Sequence, residues 1–342
     1  MVKKKLTAVS LFSGCGGMDL GFENEGIDVI WANDNFGPAC ETYKNNFKGK
    51  IVCGDIADIK SKDIPECDIV IGGFPCQDFS MIWKREGIKT DRGNLYKQFV
   101  RIVKDKKPIA FLAENVKGLM SANKGKAIKK ITSDFKNNGA GYNLSVGVYN
   151  FADFGVPQFR ERVLIVGIRK DLKLMFDPPE KTHSKDSYFP SGAALEGVEK
   201  VKFNNENQKI AERTKEILRR IPEGGNFTSI PKDSEYYVKG MISHVYRRLD
   251  RNRPSTTIIA GGGGGTWGYH YKEPRPLTNR ERARLQTFPD NFVFQGSIGE
   301  VRKQIGNAVP PAGIRPFARR LKKTLRGEYI PKQTALTDSN GG

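Results

Sequence analysis

Apolar residues gather in short runs along the first half of the chain, and each run is closed by glycine or a polar residue. Leu6–Phe12 ends in the turn Ser13-Gly14-Cys15-Gly16-Gly17, and Asp28–Ala32 ends in Asn33-Asp34-Asn35. Lys50–Cys53 is followed by Gly54-Asp55, Cys67–Ile71 by Gly72-Gly73, and Pro108–Ala113 by Glu114-Asn115. Arg162–Ile168 supplies a later run. These lengths predict strands, and the stretches between them leave room for helices. One helix is expected from Pro38, because proline fits a first helical position. The alternation predicts βαβ units and a mostly parallel sheet, an α/β fold. Ligands of such sheets bind beyond the carboxyl ends of the strands. Ser13–Gly17, Asp34, Asp55, Gly73–Gln77 and Glu114-Asn115 all fall there.

The texture changes after Asp177-Pro178-Pro179. Residues 180–290 lack regular alternation, are rich in Gly, Pro, Asn and aromatic residues, and include the run Gly261–Gly265. They read as a second, smaller and irregular domain after a first domain over 1–179. Residues 291–330 form a returning segment whose helically spaced part, Ala308–Arg326, is expected to pack on the first domain. Residues 331–342 read as a frayed tail.

Charge narrows the class of partner. The 342 residues hold 57 Lys+Arg and 38 Asp+Glu, a net charge of +19. The excess begins abruptly: residues 1–83 carry 8 basic and 12 acidic side chains, and residues 84–130 carry 14 and 4. The expected partner is a polyanion, nucleic acid ahead of a membrane surface. Hydrophobic residues at 38% suffice for a core and exclude a disordered chain. Leu6–Phe12 is too short for a signal peptide, and no segment reaches the roughly 18 apolar residues of a membrane helix. Five cysteines without a Cys-x-x-Cys pair and three histidines leave no zinc site or disulfide framework in view. The expected compartment is a reducing cytoplasm.

Phe12–Gly17 follows a strand and opens a helix, so the backbone can approach a ligand closely. The spacing matches neither the dinucleotide fingerprint nor a phosphate-binding P-loop. Asp34, about 20 residues on, suits a ribose diol, and Asp55 suits an exocyclic amine; together they indicate an adenosine-containing cofactor. Cys15, Cys40, Cys53 and Cys67 read as buried, inert filler. Cys76 differs: two glycines and a proline turn the chain before it, and the basic stretch beyond it favours a thiolate nucleophile. Glu114 reads as a proton donor with a raised pKa or as a cap for the next turn. Gln158, Arg160 and Arg162 alternate. They mark either a solvated strand face or a set aimed at phosphate or a base edge.

In order along the chain, these motifs resemble the DNA (cytosine-5)-methyltransferases of bacterial restriction–modification systems. The resemblance rests on Phe12–Gly17, Gly73–Ser80 around Pro75-Cys76-Gln77, Glu114-Asn115-Val116 and Gln158-x-Arg160-x-Arg162. It continues through Arg253–Thr257, Leu277–Pro289 and Gln304-x-Gly306-Asn307-Ala308-Val309-Pro310. It implies the fold of S-adenosylmethionine-dependent methyltransferases with a target-recognition domain over 180–290, and methylation of cytosine carbon 5 in a short duplex DNA sequence after base flipping. Cys76 would add to ring carbon 6, Glu114 would protonate nitrogen 3, and Arg162, with Arg160, would hold the ring oxygen. For S-adenosylmethionine the resemblance implies Phe12 on the adenine, Gly14, Cys15, Gly16 and Gly17 by the methionine part, and Asp34 with Asn35 at the ribose. Asp55 and Ile56 would meet the adenine, and Pro75, Leu95 and Asn307 the rest. Asp34 departs mildly from a family in which Glu is common there. A basic loop, Met81–Gly93, would close over the flipped base.

Double-stranded DNA is thus the expected partner, with no metal, no membrane, monomeric action and a cognate restriction endonuclease as a further partner. Two other readings stay open: the family's tRNA-methylating branch, whose Cys-Phe-Thr tripeptide is missing here, and a sequence-specific DNA-binding protein without catalysis. A nicotinamide oxidoreductase fits least, because the glycine spacing is wrong.

Overall fold

The computed structural model describes residues 5–75, 95–137, 139–237, 245–261 and 268–329. The first half builds the expected alternation: β1 (Thr7–Leu11), α1 (Gly17–Glu23), β2 (Asp28–Asp34), α2 (Gly37–Asn46), β3 (Lys50–Cys53) and β4 (Ile69–Gly73). Then come α3 (Leu95–Lys106), β5 (Ala110–Val116), α4 (Lys126–Lys136), β6 (Tyr142–Asn150) and β7 (Glu161–Arg169). The strands form one sheet in the order β3-β2-β1-β4-β5-β7-β6. The first five pair in parallel, whereas β7 runs antiparallel to both β5 and β6.

Side-chain period two explains why both faces of this sheet are covered. Ala8, Ile69, Ile71, Leu112 and Val166 point into one apolar cluster with Phe22 of α1. Val9, Leu11, Val70, Phe111 and Ile165 point into another, with Phe99 of α3 and Phe135 of α4. In the second cluster Phe111 and Phe135 stack with ring centroids 4.3 Å apart.

Beyond β7 the helices are α5 (Ser191–Leu195), α6 (Glu212–Arg219), α7 (Asn279–Leu285), α8 (Ile298–Asn307) and α9 (Pro311–Arg326). Ile314, Phe317 and Leu321 of α9 join the first cluster, so this helix does pack back on the sheet. It begins at Pro311, three residues later than expected, because Pro310 and Pro311 suit its start. Helix α7 lies in the stretch expected to be irregular, and α8 in the returning segment ahead of its expected helical part. Each opens on a full capping box, Thr278 with Glu281 and Ser297 with Glu300. A third cluster joins α2 to this part of the chain through Tyr43, Phe47, Leu285, Phe288 and Ile305. Strand β6 was not expected; it is an edge strand whose Val146 and Val148 are exposed, so its apolar alternation is weak.

Candidate active site

Strand boundaries decide where the chemistry sits. Strands β4 and β5 run two or three residues past the apolar runs, so Gly73 and Glu114 are strand residues that face each other in the parallel ladder. A side chain at Gly73 would place its Cβ 2.8 Å from Glu114 Oε2, so glycine there makes room for the carboxylate. Asn115 donates from Nδ2 to the Phe74 carbonyl at 2.8 Å. That bond ties the end of β5 to the chain two residues before Cys76. Cys76 itself, with Gln77 and the loop Met81–Gly93, lies outside the described residues.

Glu114 is buried and pairs with Arg162, Nε to Oε1 at 2.8 Å. Burial pushes the Glu114 pKa up, and Arg162 and Arg160 offset that only in part. A carboxyl group of this kind holds a proton more readily than an exposed one and delivers it toward a base beside it.

Arg160 departs from its expected role. It is 1% exposed, with Nη1 donating to the Ile258 carbonyl at 3.1 Å and Nη2 to the Gly306 carbonyl at 2.9 Å. Burial, then the like charge of Arg162, lowers its pKa to about 9. Its guanidinium joins β7 to residues 258–260 and to the end of α8, which leaves Arg162 as the arginine beside Glu114. Gln158, fully buried, is likewise structural: it accepts from the Ile258 N–H and donates to the Leu285 carbonyl. The close approach of α8 to residues 258–260 requires Gly306, whose Cβ would lie 2.2 Å from the Ala260 nitrogen. Gly306→Ala is expected to cost about 1–3 kcal/mol in a urea-unfolding titration, since backbone must move to admit the methyl.

A cavity of about 510 Å³ opens at these strand ends, within the roughly 300–1,000 Å³ usual for small-molecule sites. Glu114, Arg160 and Arg162 line it together with Phe12, Gly14, Asp34, Asn35, Asp55, Ile56, Pro75, Leu95 and Asn307. Cys15, Gly16 and Gly17 do not. Cys15 is buried with its thiol toward the Gln304 carbonyl, and Cβ atoms on Gly16 and Gly17 would strike Phe47 and the Val309 carbonyl. These three shape the turn into α1. Phe12 sits at φ 55°, a left-handed conformation unusual for an aromatic residue and held at the cavity wall.

The residues present fit an adenosine-type ligand. Asp34 accepts the Gly14 N–H through Oδ2 and the Phe36 N–H through Oδ1, both at 2.8 Å. Each oxygen keeps a lone pair for a hydroxyl. Burial raises the Asp34 pKa, opposed by those backbone bonds. The carboxylate is thus fixed at the cavity wall despite its short side chain. Among the described residues no cluster of His, Cys, Asp and Glu is suited to a metal ion.

Sequence reasoning missed several lining residues. Lys303 of α8 lines the cavity with its ammonium 4.2 Å from the Phe36 ring centroid. Asp19 of α1 is fully buried at the cavity floor and accepts from the Ser10 hydroxyl at 2.7 Å. Burial raises its pKa from 3.8 to about 7. The native state therefore holds this proton where the unfolded chain has lost it, so stability falls as pH rises from about 4 to 7. Roughly three units at 1.36 kcal/mol each set the scale at about 4 kcal/mol. Asp19→Asn is expected to remove that component, seen as a flatter stability profile between pH 4 and 7 in urea titrations. An unchanged slope would contradict it.

Among the cysteines read as buried, Cys15 and Cys40 are, Cys67 is half-buried and Cys53 is exposed. Cys53 ends β3, the strand at one edge of the sheet.

The chain matches the model of the C-5 cytosine-specific DNA methylases over residues 6–323. It is 57% identical over 329 residues to the Type II methyltransferase M.NgoFVII of Neisseria gonorrhoeae, across 94% of this chain and 87% of that protein. It is 42% identical to the Type II methyltransferase M.BbvI of Brevibacillus brevis, across 93% and 91%. In fold it resembles the crystal structure of a putative DNA modification methyltransferase encoded within a prophage (E. coli). That likeness has a TM-score of 0.73 and 24% identity, over 94% of this chain and 99% of that one. The S. pombe Dnmt2 methyltransferase is similar with a TM-score of 0.63 and 19% identity, over 95% and 100%.

Proposed function

Because the chain belongs to the C-5 cytosine-specific DNA methylases, we propose that it methylates carbon 5 of cytosine within a short specific sequence of duplex DNA. The observation that carries this reading is the buried Glu114–Arg162 pair at 2.8 Å, facing Gly73 across the ladder in a cofactor-sized cavity.

Cytosine carbon 5 is a weak nucleophile, so the ring must first be activated. In the proposed sequence the base leaves the helix stack, and the Cys76 thiolate forms a bond to carbon 6. Electrons of the 5,6 double bond move toward nitrogen 3, which takes the Glu114 proton. Arg162 holds the Glu114 carboxyl in place and binds the ring oxygen. Arg160, occupied by two backbone carbonyls, positions the strand that carries Arg162. S-adenosylmethionine, when bound, supplies an electrophilic methyl group. Once carbon 5 carries the methyl group, its proton leaves to a base, the 5,6 double bond re-forms as the Cys76 thiolate is expelled, and nitrogen 3 returns its proton to Glu114. Asp34, Asp55 and Phe12 would hold the adenosine, and Asn307, Pro75 and Leu95 would close around the remainder.

Residues 180–290 are proposed as the target-recognition domain and residues 1–179 as the catalytic one. The similarity to Type II methyltransferases supports a role as the modification half of a restriction–modification pair; action as a monomer in the cytoplasm is proposed with it. No helix among the described residues is long and apolar enough to cross a membrane. Bisulfite sequencing of DNA from cells expressing the chain is expected to show one recurrent short motif protected at a single cytosine. Conversion at every cytosine would overturn the proposal.

A further inference from the structure

Two thiols meet at the rim of this cavity. Cys40 lies on α2 and Cys53 ends β3, where its partner across the ladder is Asp34. The Asp34 carbonyl accepts the Gly54 N–H at 2.9 Å and faces the Cys40 sulfur at 3.4 Å. One carbonyl therefore touches both thiol-bearing segments. Ile51, two residues before Cys53 on β3, packs on the cluster that holds Tyr43 of α2, so the period of two along the strand turns the Cys53 side chain toward α2 and Cys40. Cys53 is exposed to solvent whereas Cys40 is buried behind it. The neighbours of both, Ala39 and Gly54, line the cavity, as does Asp34 between them.

We propose that Cys40 and Cys53 form an oxidisable thiol pair on the cavity rim, which hydrogen peroxide closes to a disulfide. The exposed Cys53 sulfur attacks a peroxide oxygen; its S–O bond forms as the O–O bond breaks, and the departing hydroxide takes up the thiol proton as water. The Cys40 sulfur then displaces the second oxygen from Cys53, which leaves as water with the Cys40 proton. Two thiols and one peroxide give one disulfide and two waters. Each sulfur is oxidised by one electron, and the peroxide oxygens are reduced. Burial raises the Cys40 pKa, which fits the second, resolving role better than that of first attacker. An S–S bond of about 2.05 Å draws α2 and β3 together and displaces the Asp34 segment between them. By reciprocity a ligand that holds Asp34 in place opposes the closure.

The pairing itself is independent of the proposed reaction; protection by a cofactor product rests on that reading. The test uses the full chain with Cys76→Ser, so that the proposed nucleophile does not compete. The reduced protein is treated with hydrogen peroxide, alkylated, digested without reductant and mapped by mass spectrometry. A linked peptide pair containing Cys40 and Cys53 is expected, lost on adding dithiothreitol and absent in Cys53→Ser. S-adenosylhomocysteine is expected to slow its formation at least threefold. Oxidation of Cys53 to sulfinic acid without the linked pair would overturn the proposal. Equal rates with and without S-adenosylhomocysteine would overturn its placement at the cofactor rim. Calorimetric binding of S-adenosylhomocysteine to the reduced protein separates these results from a failure of the cofactor reading.

Discussion

Cys76→Ser is expected to abolish methyl transfer to cytosine, with a fall of at least about 10⁴-fold in kcat. A serine hydroxyl ionises far less readily than a thiol, so addition to carbon 6 stops and carbon 5 stays unactivated. The substitution changes one atom, and DNA binding is expected to persist in a gel-shift assay. The covalent step has its own readout. Duplex DNA with 5-fluorocytosine at the target leaves no proton to remove from carbon 5, so the native chain is trapped as an adduct that survives denaturing electrophoresis. Cys76→Ser forms none. Equal methyl transfer by the variant would refute thiolate addition.

Glu114→Gln is expected to have the second large effect, a loss of roughly 10²–10⁴-fold in kcat. The amide occupies the same space opposite Gly73 and still meets Arg162, but it has no proton to give to nitrogen 3. Burial, acting against Arg162 and Arg160, raises the Glu114 pKa and so extends the pH range over which the acid form persists. The sign follows directly: activity that needs protonated Glu114 falls as pH rises through its pKa. An opposite limb is expected because the proposed nucleophile acts as a thiolate. Native protein should therefore show a bell-shaped kcat profile, and Glu114→Gln should lose the falling limb along with most of the rate. A variant that keeps both limbs would reassign the proton donor.

Much of this site was legible because a parallel sheet gathers its strand ends. Asp34, Asp55, Gly73 and Glu114 are far apart in sequence, but each follows an apolar run, so topology alone brings them to one cavity. Arg160 has backbone partners that pattern cannot reveal. Alternation places it on the same face as Arg162, and its Nη1 and Nη2 donate to the Ile258 and Gly306 carbonyls, nearly 100 and 150 residues away. Long-range partners of that kind leave no local trace. The glycines of the first turn were over-assigned: Gly14 reaches the cavity, whereas Gly16 and Gly17 are needed for packing against Phe47 and Val309. Helices α7 and α8 were legible after all, since Thr278-x-x-Glu281 and Ser297-x-x-Glu300 are helix start signals. Asp19 gave no signal, because an aspartate on a helix reads as solvated until the fold turns it inward, and Lys303 is an exposed residue that only the placement of α8 brings to the cavity.

The charge layout now has a structural counterpart. The acidic first 83 residues supply Asp19, Asp34 and Asp55 of the cavity wall. The basic excess begins just after Cys76, where DNA would lie against the proposed nucleophile.

The account is tested most directly by incubating the chain with S-adenosylmethionine labelled in its methyl group and, separately, duplex DNA and tRNA, followed by nucleoside digestion. The label is predicted to appear in DNA as 5-methyl-2′-deoxycytidine. Label confined to tRNA, or carried on an exocyclic nitrogen, would contradict it.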